Sequence, residues 1–147
     1  MKKTVSLSVS LILTILVFSF SLVSGESSGN QSLVIAEAIK RFIDSLFPDW
    51  ELSLSLIHQI VRKGAHVAEY TLLGMSWLFT FSLFGLKKAF FPLLGLLVAL
   101  ADEGIQFLAD ERGPSLFDAL VFDFPGFMLG GIIVFLFIKA KKNKVAT

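Results

Sequence analysis

Four long apolar segments dominate the chain, and each is long enough to cross a membrane as a helix. They cover approximately residues 4–23, 65–86, 89–108 and 116–138. A helix needs about 20 mainly apolar residues to span the hydrocarbon core of a bilayer. The pattern therefore predicts an all-α fold, an integral membrane four-helix bundle that takes up residues 1–147 as a single domain.

A shorter periodic pattern lies between the first two spans. Over residues 31–47, apolar and charged side chains recur at helical spacing, which predicts an additional amphipathic helix on the membrane surface or against the bundle. Pro48 ends this helix, and Trp50 follows where an interfacial anchor is expected. The small polar residues 24–30 are predicted to form a loop before it.

The first apolar segment has two interpretations. Lys2 and Lys3 precede the apolar run, and Ser24 and Gly25 follow it, which is the pattern of a cleavable signal peptide. The run is also long enough to remain in the membrane as a span. The pattern alone leaves both interpretations open.

Composition agrees with a membrane protein and excludes several kinds of site. The chain is 54% hydrophobic and 17% charged, and it contains sixteen Phe and no Cys. Without Cys, disulfides, thiol nucleophiles and thiolate metal sites are excluded. There is no phosphate loop, nucleotide fingerprint or nucleophile elbow, so no cofactor is identified. The basic residues lie in short flanks of the spans, which disfavours nucleic-acid binding.

The charges are divided between the two ends of the predicted bundle. One end carries no acid and eight lysines, namely Lys2, Lys3, Lys87, Lys88, Lys139, Lys141, Lys142 and Lys144. All twelve Asp and Glu residues fall at the other end or in the half of the membrane beside it. Because lysines resist translocation, both termini are predicted to be cytoplasmic, with the polar residues toward the cell exterior.

A cluster of ionisable residues is predicted where spans two, three and four approach this outer end. Arg62, His66 and Glu69 share one stripe of span two, because they are spaced by four and three residues. The neighbouring positions add the remaining candidates, which are Lys63, Tyr70, Asp102, Glu103, Gln106, Arg112, Asp118 and Asp123.

Ionisable residues inside a membrane cost about 2.5–3.5 kcal/mol each on insertion scales, so they usually face a partner or a wet cavity. Carboxylates beside a histidine suit acid–base chemistry. The candidate catalytic residues are His66, Glu69, Asp102, Glu103 and Gln106. Those expected to bind substrate are Arg62, Lys63, Tyr70, Arg112, Asp118 and Asp123. A purely structural lock between helices stays open as an alternative.

Other polar and small residues carry weaker signals. A metal held by His66 and Glu69 with Asp102 or Glu103 is a third alternative, but the H-E-x-x-H spacing is missing and no metal is assigned. His58 is interpreted as an interfacial loop residue, and the Ser-rich loop around Ser28 and Ser32 as solvated. Close helix packing is expected from the small residues of span four, which are Gly126, Gly130 and Gly131.

Taken in order, these residues resemble the VanZ-like family of bacterial membrane proteins. The family pattern runs R-K-x-x-H-x-x-E-Y, then D-E-x-x-Q, then an Arg with an Asp six residues on, and finally D/N-x-x-G-x-x-x-G. The matching positions are residues 62–70, residues 102–106, Arg112 with Asp118, and Asp123 with Gly126 and Gly130. Residues 21–32 also look like the stretch after the family's first span, which favours an intact first span here.

The resemblance implies a four-span protein of the bacterial cytoplasmic membrane, and the family's named member is associated with resistance to teicoplanin. One departure concerns the last motif. The family usually places its final Asp or Asn four residues after the preceding Asp, whereas Asp123 lies five after Asp118. On a straight α-helix these two residues would diverge by about 140°. Either the helix is distorted at Pro125 or one Asp has left the cluster.

Three functions are compatible with these patterns. The first is a membrane protein whose outward polar pocket binds a cell-envelope component, in a teicoplanin-resistance-like role. The second is an intramembrane acid–base enzyme acting on a lipid-linked or cell-wall substrate, with Arg62 and Arg112 holding an anionic head group. The third is a non-enzymatic adaptor that docks a partner through the glycine face of span four.

Overall fold

The structure, a computed structural model, describes residues 2–110, 113 and 115–145. The first three helices are α1 (Lys2–Ser21), α2 (Gly25–Leu46) and α3 (Leu54–Phe84). Helix α4 (Phe91–Gln106) follows a 3-10 turn over Lys88–Phe90. Helix α5 joins three segments, which are Leu116–Asp118, a π turn over Ala119–Asp123, and Phe124–Val145. Helices α1, α3 and α5, and α4 together with the 3-10 turn before it, are long and apolar enough to cross a membrane. The predicted all-α membrane bundle is confirmed.

The four spans run alternately up and down around α3. Lys3 near the start of α1 lies over the ring of Phe84 at the end of α3, with Nζ 5.5 Å from the ring centre. Lys88 before α4 lies over Phe135 in the second half of α5 at 4.9 Å. The lysines therefore gather at one end of the bundle, and the carboxylates of α3, α4 and α5 gather at the other.

Two helices begin earlier than the sequence pattern predicts. Residues 24–30, predicted to be a loop, form the first turns of α2, because Ser24 Oγ accepts the Ser27 N–H at 3.2 Å and caps the helix. Helix α3 begins eleven residues before position 65, capped by Ser53. At about 1.5 Å per residue, its 31 residues span more than the roughly 30 Å hydrocarbon core. His58 thus lies on this helix, and its placement in a loop is wrong.

Helices α3 and α5 touch backbone to backbone through glycines. A Cβ atom on Gly126 would lie 2.9 Å from the Val67 carbonyl oxygen, and one on Gly130 would collide with the Thr71 carbonyl oxygen. Thr71 Oγ1 donates to the Gly126 carbonyl at 3.2 Å across the same contact. The glycine face of span four is therefore filled by α3, as expected for close helix packing.

Aromatic packing completes the contact between α4 and α5. Phe127 is fully buried and stacks on Phe91 with ring centres 4.6 Å apart. Gly131 makes room for the Phe91 ring, since a Cβ there would collide with it. These contacts bring the last turn of α4, which carries Asp102 and Glu103, beside the beginning of α5.

A ladder of hydroxyl groups joins α1 to α3 near the lysine end. Ser10 Oγ lies 2.9 Å from Thr80 Oγ1 and 2.8 Å from Ser76 Oγ, and Ser6 Oγ lies 2.6 Å from Thr80 Oγ1. Hydrogen bonds between membrane helices contribute on average about 0.6 kcal/mol each. These hydrogen bonds join α1 to the rest of the bundle, so its removal as a signal peptide would leave the Thr80 hydroxyl without these partners.

Helix α2 packs on the part of α3 that extends beyond the span, where Ala36 and Ile57 are buried. Beside this contact face, α2 exposes an apolar stripe at positions spaced by four, three and four residues. The stripe consists of Ile35, Ile39, Phe42 and Leu46. Phe47 stacks on Trp50 at 4.6 Å just beyond it. The predicted amphipathic helix is present, and its exposed apolar side suits the membrane interface.

The contact between α3 and α5 predicts a sharp difference between two glycine substitutions. Gly130→Ala should sharply reduce folded protein and its unfolding temperature, because the new methyl group meets the Thr71 backbone. Gly64→Ala is the matched control: it is also helical, has open space at its Cβ position, and should be neutral or slightly stabilising. Thermal unfolding in detergent measures both. Equal effects of the two substitutions would contradict the close contact.

Candidate functional site

His66 and Asp123 form a pair between α3 and α5. His66 Nδ1 lies 3.2 Å from Asp123 Oδ1, and the Asp123 side chain is fully buried. Asp123, Glu69 and Asp102 are the charged groups that act on His66. The neighbouring glycine contact sets the spacing of this pair, because Val67, the residue after His66, lies directly against Gly126, one turn after Asp123.

Two further polar residues are buried beside this pair. Tyr70 and Asp102 are 0% and 1% exposed, and the hydroxyls of Tyr70 and Ser21 approach the Asp102 carboxyl. However, the Tyr70 hydroxyl, both Asp102 oxygens and Asp123 Oδ2 lack a hydrogen bond of normal geometry. We call His66, Tyr70, Asp102 and Asp123 the inner cluster. A buried polar atom without a hydrogen-bond partner costs about 1–3 kcal/mol of folding free energy. A group of such atoms therefore indicates a role other than stabilising the fold.

A second group closes the end of the bundle above the inner cluster. Lys63 and Asp118 form an ion pair between α3 and α5. The Glu103 carboxylate accepts the backbone N–H of Ser115 and, at 3.4 Å, the Gln106 amide. We call Lys63, Glu103, Gln106 and Asp118 the rim cluster. Its side chains are mostly partnered, which distinguishes it from the inner cluster.

The π turn over Ala119–Asp123 explains how both Asp residues of α5 reach α3. On a straight α-helix, Asp118 and Asp123 would diverge by about 140°. The π turn absorbs the extra residue, so Asp118 pairs with Lys63 while Asp123 contacts His66, three residues further along α3. The helix is therefore distorted as predicted, but over Ala119–Asp123 and not at Pro125, and neither Asp has left the site. Such π turns are frequent at functional sites.

A pocket of about 240 Å³ opens between α1, α2 and α3 at the same end of the bundle. Its polar lining comes from Arg62, His66 and Glu69 of α3 and from hydroxyl and amide groups of α2 and α1, namely Ser21, Ser28, Gln31 and Ser32. We call this cavity the outer pocket. His66 lines the outer pocket and also contacts Asp123, so it connects the pocket with the inner cluster.

A contact that the sequence analysis missed holds the α2 wall of the outer pocket in place. His58 Nε2 lies 2.8 Å from Ser32 Oγ and 3.1 Å from the Gly29 carbonyl oxygen. Ser32 and Gln31 were assigned no binding role, because the pattern offered no sign that α2 would fold against this face of α3. A predicted helix that began before residue 58 would have included His58, which lies two turns before His66 on α3.

The predicted site residues thus fall into three connected groups. Arg62, His66 and Glu69 line the outer pocket. Tyr70, Asp102 and Asp123 are buried behind it, and Lys63, Glu103, Gln106 and Asp118 form the rim cluster. Arg112 lies outside the described residues. Within residues 2–110, 113 and 115–145, no three His, Asp or Glu side chains come together as a metal site requires.

The arrangement is suited to moving a proton between the outer pocket and the interior. Glu69 and His66 both line the pocket, and His66 Nδ1 faces Asp123. A histidine paired with a carboxylate is a common proton-transfer unit. His66 is the one basic side chain paired with the inner carboxyls among the described residues, and full ionisation of Asp102, Asp123 and His66 would leave a net negative charge in the interior.

The π turn predicts that deleting one of its residues is tolerated. Deletion of Val121, which is 44% exposed, should convert the turn to regular α-helix and keep Asp118 and Asp123 on one face, about 40° apart. Deletion of Leu129, which is 46% exposed, should break the spacing of Gly126 and Gly130 and abolish folding. Folded yield and unfolding temperature measure the difference. If the Val121 deletion is as damaging as the Leu129 deletion, the role given to the π turn is wrong.

Comparison with known proteins provides no further evidence for a family or a function. The chain matches no family model, no curated protein and no solved structure. The likeness to the VanZ-like family therefore rests on the motif residues alone and stays a prediction.

Proposed function

We propose that the chain is a VanZ-like protein of the bacterial cytoplasmic membrane that binds or acts on a cell-envelope component, in a teicoplanin-resistance-like role. The observation that carries this proposal is the outer pocket with the inner cluster behind it, at the end opposite the lysines. A purely structural lock would be expected to satisfy its polar groups, whereas the inner cluster leaves four buried atoms without normal hydrogen bonds.

The proposed orientation has both termini in the cytoplasm and the outer pocket toward the cell exterior. Lys3 and Lys88 lie at the same end of the bundle, where their contacts with Phe84 and Phe135 place them. A cytoplasmic position for this end follows the rule that loops rich in lysine stay inside. Ligands of the outer pocket would then come from the cell envelope.

Labelling of single cysteines tests this orientation directly, because the chain contains no Cys of its own. In intact cells, a membrane-impermeant thiol reagent should label Asp49→Cys and leave Lys87→Cys unlabelled, although both positions are exposed. Both variants should react after the membrane is opened. Labelling of Lys87→Cys alone in intact cells would contradict the orientation and the function proposed from it.

An intramembrane enzyme is the second candidate, and the two contacts of His66 favour it. One side of the ring faces the outer pocket beside Glu69, and Nδ1 faces Asp123. A lipid-linked substrate in the pocket would meet an acid–base pair connected to a buried carboxyl. General acid–base catalysis by a positioned histidine typically contributes about 10²–10⁴-fold to a rate. No surface of the described residues supports the non-enzymatic adaptor as the outer pocket supports the other two functions.

Substitutions in the outer pocket test the proposed role in cells. His66→Ala and Glu69→Gln should abolish any decrease in teicoplanin susceptibility that the wild-type protein confers, without lowering its amount in the membrane. Glu51→Gln, at an exposed position outside the site, is the control and should behave as wild type. Quantitative immunoblots of membranes accompany the susceptibility measurement. Loss of the His66 and Glu69 variants from the membrane would instead support a structural lock.

A further inference from the structure

The outer pocket combines a cation, hydrogen-bond donors and an apolar side that is open along the bundle. From this combination we infer that the pocket binds the phosphate head of a lipid-tailed envelope component, which reaches it sideways from the bilayer. This inference rests on the proposed function, since it names the class of ligand for the same pocket. Three features of the outer pocket support it, which are the charge of the polar lining, the exposure of the apolar lining and the volume of the cavity.

Arg62 is the residue that favours an anionic head group. Its side chain lines the pocket and makes no ion pair with any described residue, while the nearby Lys63 is already paired with Asp118. A guanidinium group presents a planar set of donors that matches the oxygens of a phosphate. Ser28 and Gln31 on the facing wall add uncharged hydrogen-bonding groups.

Part of the pocket lining is apolar and reaches the surface of the bundle. It is formed by Phe20 near the end of α1, Val23 just after that helix, Ile35 of α2 and Val61 of α3. Phe20 is 51% exposed and Ile35 is 53% exposed. Ile35 also begins the exposed apolar stripe of α2, so the pocket continues into a surface that suits lipid chains.

The size of the pocket separates a lipid head group from the antibiotic itself. Its volume of about 240 Å³ is below the roughly 300–1,000 Å³ of cavities that enclose drug-sized ligands. A glycopeptide is larger than a drug-sized ligand and would not be enclosed. A phosphate with the first atoms of its head group fits, provided that the remaining chain lies outside, along Phe20 and Ile35.

Glu69 restricts the kind of head group. It lies seven residues from Arg62 on the same stripe, about 10 Å along the helix, at the other end of the polar lining. A carboxylate there disfavours a second negative charge at that end of the pocket. The fitting ligand therefore carries a single phosphate, at Arg62.

Native mass spectrometry of the full-length protein in detergent tests this inference. The probes are a polyprenyl monophosphate, a diacyl phosphatidylglycerol, the neutral diacylglycerol and inorganic phosphate. At least one of the two phosphate lipids should bind one to one, about tenfold or more tighter than the diacylglycerol or inorganic phosphate. The tighter of the two identifies the lipid source. Equal affinity for the neutral lipid, or for inorganic phosphate alone, would overturn the inference.

Matched variants show whether binding occurs in the outer pocket. Arg62→Gln should weaken binding of the phosphate lipid about tenfold or more, whereas Arg41→Gln, on the exposed side of α2, should not change it. Ile35→Asn should also weaken lipid binding, while Val34→Asn, at an exposed α2 position outside both the pocket and the apolar stripe, should leave it unchanged. Unchanged affinity of the Arg62 and Ile35 variants would place any binding elsewhere and overturn the inference.

Failure of the proposed function gives a different result from failure of this inference. If the protein has no effect on teicoplanin susceptibility but Arg62→Gln still loses the phosphate lipid, the resistance role fails and the ligand class is supported. If the protein lowers susceptibility and Arg62→Gln retains both this effect and its lipid affinity, the ligand class alone is overturned.

Discussion

The direct contact between the backbones of α3 and α5 is the constraint on which the site depends. Gly126 and Gly130 bring α5 against Val67 and Thr71, and no side chain separates the two helices there. Close approach of this kind is how membrane helices gain packing energy without a hydrophobic driving force. It also fixes the neighbouring turn, where His66 meets Asp123 and Lys63 meets Asp118.

The site beside this contact consists of polar side chains in the interior of a membrane bundle, where buried polar groups destabilise the fold. Hydrocarbon offers no hydrogen bonds, so each buried group must find a partner in the protein or cost about 1–3 kcal/mol. The rim cluster meets this demand through the Lys63 ion pair and the hydrogen bonds of Glu103. The inner cluster does not, since polar atoms of Tyr70, Asp102 and Asp123 lack hydrogen bonds of normal geometry. These groups lower the stability of the fold because they are buried, and they lie directly behind the outer pocket.

Sequence patterns predicted the spans and the grouping of the site, because both follow from short-range periodicity. Hydropathy identified the four membrane helices, and the spacing of Arg62, His66 and Glu69 correctly placed them on one side of α3. Long-range effects were not predictable in this way. The wall of the outer pocket depends on the His58 contact with Ser32, which requires α2 to fold back on α3. The five-residue spacing in α5 indicated a distortion, but a π turn could not be chosen over a kink at Pro125 without the contacts to α3.

The central claim is that His66 and Asp123 are held together in the bundle interior by the packing of α3 against α5. A double-mutant cycle measures this most directly, using His66→Gln, Asp123→Asn and the double variant, with unfolding free energies determined in mixed micelles. Coupling between residues of membrane helices averages about 0.6 kcal/mol and reaches about 1.7. We expect a value in the upper part of this range, and a value near zero for a cycle between His66 and the distant Asp44. Coupling for His66 and Asp123 no larger than in that control cycle would contradict the claim.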